Sequence, residues 1–172
     1  MLSWPVTMEI NVLIDEGVAG SPGEAWFEGV AGEALSAEGL GDATEVGIVV
    51  TGQERIQELN LIHRGIDEPT DVLSFPMAEE LTDAEDDPEM AEFVEPPDGV
   101  RHLGEVIISY PQAEKQATEE GHSDRRETAI LVVHGILHLL GYGHGEGVAA
   151  DDEARMKSRE AEILSRIGDT GR

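Results

Sequence analysis

Three histidines within eleven residues, His134, His138 and His144, carry the chemistry this sequence can do. They stand at offsets 0, 4 and 10 of the segment HGILHLLGYGH, with Gly141 at offset 7. Residues four apart on a helix share a face about one turn apart, so His134 and His138 are placed to grip one ion. Gly141 suits the left-handed conformation that ends a helix and turns the chain back. His144 then supplies a third imidazole. Three neutral nitrogens with one position left open describe a catalytic zinc site, one ion per chain, whose bound water is acidified to a pKa of about 7. A closed structural zinc site usually draws on thiolates, and the chain has no cysteine. The competing reading buries the pair as hydrogen-bonded core histidines of an apolar helix.

The same spacing occurs in the metzincin peptidase motif H-E-x-x-H-x-x-G-x-x-H. Here the second position is Gly135, so the glutamate that serves such a peptidase as general base is missing. The metal cradle is kept without the peptidase's proton acceptor.

The elements that must position these residues follow from pattern. Met8–Ile14, Thr44–Thr51, Asp71–Pro76 and His102–Ser109 read as strands, the second β-branched and bounded by Asp42 and Gly52. Ser21-Pro22 is expected to cap and open a first helix, and Gln53–His63 a second that Gly65 ends. Pro111–Glu120 forms a third, ended by Gly121. Asp124, with Glu127 as capping-box partner, opens a helix that is apolar nearly all round to Leu140 and therefore buried. Asp151–Ile167 closes the chain as an amphipathic helix. The sum is an α+β fold: a single small mixed four-stranded sheet, about five surrounding helices, and a three-histidine metal site at the end of a buried central helix.

Length predicts one domain over residues 1–172. Residues 78–99 hold ten acidic residues, three prolines and no lysine or arginine, which predicts a solvated, mobile loop, with an acidic metal-binding tract as the minor alternative. The lack of cysteine, of a signal peptide at the start and of an apolar run of about 20 residues predicts a cytoplasmic protein with no membrane contact. The chain carries 37 acidic against 11 basic residues, a net charge of −26. Such a chain repels nucleic acid at long range, and no DNA partner is expected. It still admits an enzyme that takes one phosphate locally through a metal and a few arginines.

Two segments resemble the YbeY family of bacterial rRNA maturation factors. One is HGILHLLGYGH, close to that family's H-G-x-L-H-L-x-G-Y-D-H. The other is LNLIHRGIDEPTDVLSFP, Leu59 to Pro76, close to L-N-x-x-[aromatic]-R-x-x-D-x-P-T-D-V-L-S-F-P. Leu103–Ile108 and Asp152–Met156 match too, so the resemblance spans roughly residues 45 to 167. It implies zinc on His134, His138 and His144. It implies a single-strand endoribonuclease acting on the rRNA precursor in small-subunit 3′-end maturation and in ribosome quality control, with ribosomal proteins or an assembly GTPase as further partners. It also implies that Arg64 faces the metal cleft and engages RNA phosphate. Arg64 precedes 36 positions without a lysine or arginine, and a guanidinium's planar fork suits phosphate oxygens. By default, a lone arginine in so acidic a chain is a surface ion-pair partner. Glu105 and Asp67 are the candidate general bases. The chain departs from the family at Gly143, where aspartate is usual, at His63, where an aromatic is usual, and in the extra residues 145–150. Two other readings stay open: a zinc hydrolase of peptide or amide bonds, and a non-catalytic ribosome assembly factor with a structural metal.

Overall fold

The computed structural model describes residues 8–41, 43–77, 100–142 and 150–167. His144, Gly143 and the acidic tract 78–99 lie outside the described residues. Four strands and five helices follow in chain order: β1 (Glu9–Ile14), α1 (Glu24–Ala37), β2 (Thr44–Thr51), α2 (Gln53–Arg64), β3 (Val72–Pro76), β4 (Arg101–Ser109), α3 (Tyr110–Glu120), α4 (Asp124–Leu139) and α5 (Ala150–Ile167). The strands form one mixed sheet in the order β1-β2-β4-β3. β1, β2 and β4 run parallel, and β3 pairs antiparallel with β4 at one edge. Each expected strand and helix is present, with ends that shift by a few residues.

Alternation along β2 explains the layering. Val46, Ile48 and Val50 are fully buried, while Gly47 and Val49 between them are only half-buried. One sheet face therefore carries the main core, in which α1 and α4 pack Phe27, Leu35, Ile136 and Leu137 against these valines and isoleucines. A fully buried side chain of this size stabilises the fold by about 1.5–3 kcal/mol. α2 lies on the other face, where Ile56, Leu73 and Ile107 make a smaller core. α4 packs against α1, α3, α5, β3 and β4, so it is the central element the sequence predicts.

Two expected caps move. Helix α1 is capped by Gly23 without a side-chain bond, and the Ser21 hydroxyl instead meets the Pro22 carbonyl. Helix α4 is capped by Ser123, whose hydroxyl accepts from the Arg126 N–H at 3.1 Å. Both Ser123 and Asp124 are good caps, and the helix starts one residue earlier than expected. Glu127, now one position too far along to close a capping box, is buried and meets His122 at 2.6 Å.

Gly135 sets how closely α4 approaches the sheet. A Cβ there would sit 2.5 Å from Val106 Cγ1 and 3.3 Å from Ser74 Oγ. The Ser74 hydroxyl donates to the Gly135 carbonyl at 3.0 Å, tying edge strand β3 to the helix. A side chain at 135 must push helix and sheet apart. Gly135→Ala is therefore expected to cost about 1–3 kcal/mol, as overpacking does, read as a lower urea midpoint. Removing the Val106 methyls in the same chain should recover part of that loss. A Gly135→Ala variant as stable as the parent would show that the contact is not tight.

Candidate active site

Helix α4 ends in a turn that the glycine at 141 makes possible. Gly141 takes φ +100°, and two backbone bonds close the turn: Gly141 N–H to the His138 carbonyl (3.1 Å) and Tyr142 N–H to the Leu137 carbonyl (3.0 Å). This is the paired arrangement of a Schellman cap. It turns the Tyr142 carbonyl back onto the helix, where it accepts from His138 Nδ1 at 2.9 Å.

His134 is held in a parallel way from a different element. Its Nδ1 meets the carboxylate of Glu160 on α5. A carbonyl and an ionised carboxylate only accept, so the proton of each ring is assigned to Nδ1. Each Nε2 then carries a lone pair, and the two Nε2 atoms face each other at 3.0 Å. Two lone pairs so placed repel unless a cation or a proton lies with them. Imidazoles whose second nitrogen is fixed by an outer acceptor, with the first nitrogens converging, match what a zinc ion requires of its histidines. The donor set present thus fits the metal. Among the described residues no group of three histidines, carboxylates or cysteines converges, and the expected third ligand, His144, is not among them.

His134 and His138 line an open cleft of about 640 Å³ together with Arg64, Thr70, Asp71, Val72, Ser74 and Pro76. The structure therefore brings the expected arginine and two of the expected histidines to one cavity. Arg64 is the last residue of α2, before Gly65 in the left-handed conformation. His63 beside it packs against Phe75 of β3, with ring centroids 4.6 Å apart and the planes tilted by 53°, which pins the helix end to the edge strand. Arg64 is exposed and, among the described residues, makes no hydrogen bond or ion pair. The surface ion pair that its type suggests by default is not formed among the described residues.

The loop from α2 to β3 explains the rest of the Leu59–Pro76 motif. Buried Asn60 donates its amide to the Glu68 carbonyl at 2.9 Å, and Gln57 donates to Asp67 Oδ1 at 3.0 Å. Asp71 Oδ1 accepts from the Val72 N–H (2.8 Å) and from the Thr70 hydroxyl (3.3 Å). Its Oδ2 accepts from Gln116 (3.2 Å).

Neither expected general base belongs to the cleft. Asp67 is occupied by Gln57 and does not line the cavity. Glu105 alternates with Val106, which faces α4, so its side chain lies on the opposite sheet face in a separate groove. The carboxylate that does line the cleft is Asp71, and the one behind the histidines is Glu160. Asp71 sits inside a motif the sequence displays. Glu160 lies 26 residues from His134 on another helix, and no local pattern marks it.

The fold is of the α+β class: a small mixed sheet with a buried helix that presents paired histidines to a cleft. The comparisons narrow the class. A family sequence profile described as Endoribonuclease YbeY matches residues 15–168, reaching well before residue 45 where the motif resemblance begins. An Endoribonuclease YbeY of Dehalococcoides mccartyi strain 195 is 51% identical, covering 93% of this chain and 90% of that protein. One from Chloroflexus aurantiacus is 43% identical, covering 92% and 95%. The solution structure of TM1509 from Thermotoga maritima aligns with a TM-score of 0.56 at 25% identity, over 91% of this chain and 90% of that one. The chain belongs to the YbeY family.

The ring orientations are testable without reference to any metal. Long-range ¹H–¹⁵N spectra above neutral pH are expected to show His134 and His138 with the proton on Nδ1. Glu160→Ala should abolish that preference at His134 and leave His138, held by a backbone carbonyl, unchanged. The proton on Nε2 of both rings in the parent protein would contradict the geometry.

Proposed function

We propose that this chain is a zinc-dependent endoribonuclease for single-stranded RNA, with His134, His138 and His144 as metal ligands and Arg64 as the phosphate-binding catalytic residue. Membership of the YbeY family supports the nuclease activity, since the relatives matched bear the name Endoribonuclease. The observation that carries the site assignment is a guanidinium, without an ion pair among the described residues, on the wall of the cleft that the two converging imidazoles line. The substrate proposed is the precursor of small-subunit rRNA at its 3′ end, with ribosome quality control as a second setting. Ribosomal proteins or an assembly GTPase would be the partners there.

Zinc bound at this site supplies a Lewis acid for a phosphate oxygen and a water acidified to near-neutral pKa. The chain's own residues do the positioning. Glu160 and the Tyr142 carbonyl fix the Nδ1 protons and so keep both Nε2 lone pairs aimed at one point. Arg64 offers paired N–H groups to the non-bridging oxygens of the scissile phosphate, where charge builds as the pentacoordinate state forms. Among the described residues, no ion pair has to break before it binds. Asp71, with both oxygens occupied by donors, holds the β3 entry against α3 and shapes the cleft floor.

The peptidase reading loses ground on sterics. A glutamate at position 135 would have to occupy the space of Val106, so this helix cannot carry the peptidase base at that place. A non-catalytic assembly factor is separated by assay: zinc-loaded, folded protein that leaves every single-stranded RNA intact would favour it.

His138→Ala is expected to lose both zinc, measured by elemental analysis, and cleavage of a labelled RNA. Arg64→Ala should keep the parent's zinc content and lose about 10²–10³-fold in kcat, the scale of removing one transition-state donor. Full activity in Arg64→Ala would remove Arg64 from the chemistry. Full zinc content and activity in His138→Ala would remove the histidine site.

A further inference from the structure

A second cavity also has His134 in its lining. It measures about 200 Å³ and is lined by His134, Glu153, Met156, Lys157 and Glu160. His134 is therefore shared between the main cleft with Arg64 and a smaller hollow on helix α5. Met156 in its lining is buried. Lys157 is exposed and, among the described residues, makes no hydrogen bond or ion pair, although Glu153 and Glu160 stand four and three positions away on its own helix.

Lys157 shares that lack with Arg64, Arg101, Lys115 and Arg126 among the described residues, whereas the other five described cations are engaged. Arg55 is bound to Asp15, Arg159 to Glu38 and Glu162, and Arg166 to Glu162. Arg125 lies over Trp26 and Arg155 over Tyr142. Two cations without such partners line the two cavities that meet at one histidine. A hollow this small is below the size of a site for a whole drug-sized ligand and suits one sugar or base. An ammonium at its rim suits the phosphate that follows. A single strand laid across the histidines would place successive phosphates near the cationic side chains of the two cavities, as single-strand grooves do.

We propose that the α5 hollow is a second nucleotide subsite, with Lys157 binding a different RNA phosphate from the one held by Arg64. The proposal rests on the single-stranded RNA reading of the main cleft. Lys157 is a positioning residue: it holds the strand in register and does not touch the reacting phosphate.

The test uses the zinc-loaded full chain and a fluorescent phosphorothioate RNA of about twelve nucleotides, within the range of single-strand site sizes. Affinity is measured by anisotropy over a salt series. Each phosphate contact on a single strand contributes about 0.7 to the slope of log K against log salt. Lys157→Ala should lower the slope by about 0.7, raise KM on cleavable RNA and leave kcat close to the parent's. Lys157→Arg should restore the slope. Arg126→Ala is the control, an exposed charge on α4 eight residues before His134 that lines neither cavity, and it should leave the slope unchanged. A Lys157→Ala slope equal to the parent's overturns the subsite, as does an equal fall in Arg126→Ala, which would mean general charge. Parent protein that neither binds nor cleaves RNA sinks the underlying reading as well. Parent cleavage with an indifferent Lys157→Ala sinks the subsite alone.

Discussion

The contact between α4 and the sheet at Gly135 is the constraint on which the rest depends. A helix residue without a side chain lets the backbone come down on Val106, and the Ser74 hydroxyl then reaches the Gly135 carbonyl. Successive helix residues turn by about 100°. With Gly135 against the sheet, His134 and His138 emerge about 100° and about 60° round the helix on the same side, beside β3. The edge strand supplies Val72, Ser74 and Pro76 to the cleft that both histidines line. A bulkier residue at 135 would lift the helix and move both imidazoles away from that strand together. The absent glutamate of the peptidase motif is thus also a packing requirement of this fold.

Much of the architecture was legible because its period is strong. Val46, Ile48 and Val50 alternate with less buried neighbours, and α4 is apolar all round because five elements cover it. The His134–His138 pairing follows from helical spacing alone, and Gly141 does turn the chain as its type suggests. What spacing could not give is anything set by distant elements. Strand order β1-β2-β4-β3 depends on β4 slipping between β2 and β3, which no local pattern announces. Glu160 reaches His134 only because α5 packs on α4. Asp67 and Glu105 were plausible bases by type. A glutamine neighbour takes up the first, and strand alternation sends the second to the far face. Asp71 stood in the same motif, but only the fold shows that its position in the loop brings it to the cavity.

His63 shows the same division. By sequence it is a departure from an aromatic position beside a functional arginine. In the fold its ring packs on Phe75, on the face of β3 away from the histidine cleft, while Arg64 one residue on reaches the cleft itself. One side chain anchors the end of α2 and the next, among the described residues, is left unattached. A planar imidazole keeps a ring-to-ring contact of the kind an aromatic would make, so the substitution preserves the anchor.

The net charge of −26 and a polyanionic substrate conflict only if charge acts at long range. At physiological salt the Debye length is about 8 Å, so carboxylates on remote faces are largely screened at the cleft. What counts there is the local inventory and whether each charge is already spent. Arg55, Arg159 and Arg166 are engaged by carboxylates, which offsets their charge as anion receptors. Among the described residues Arg64 is not, and its cleft also holds two imidazoles suited to a divalent cation. On the proposed function, affinity would then come from a few unspent positive groups at short range against a background that repels. Such a balance makes weak binding with a shallow salt slope the default and leaves specificity to the fit of one strand in one cleft. An acidic surface of this kind also discourages the non-specific coating of RNA that a basic nuclease must otherwise escape.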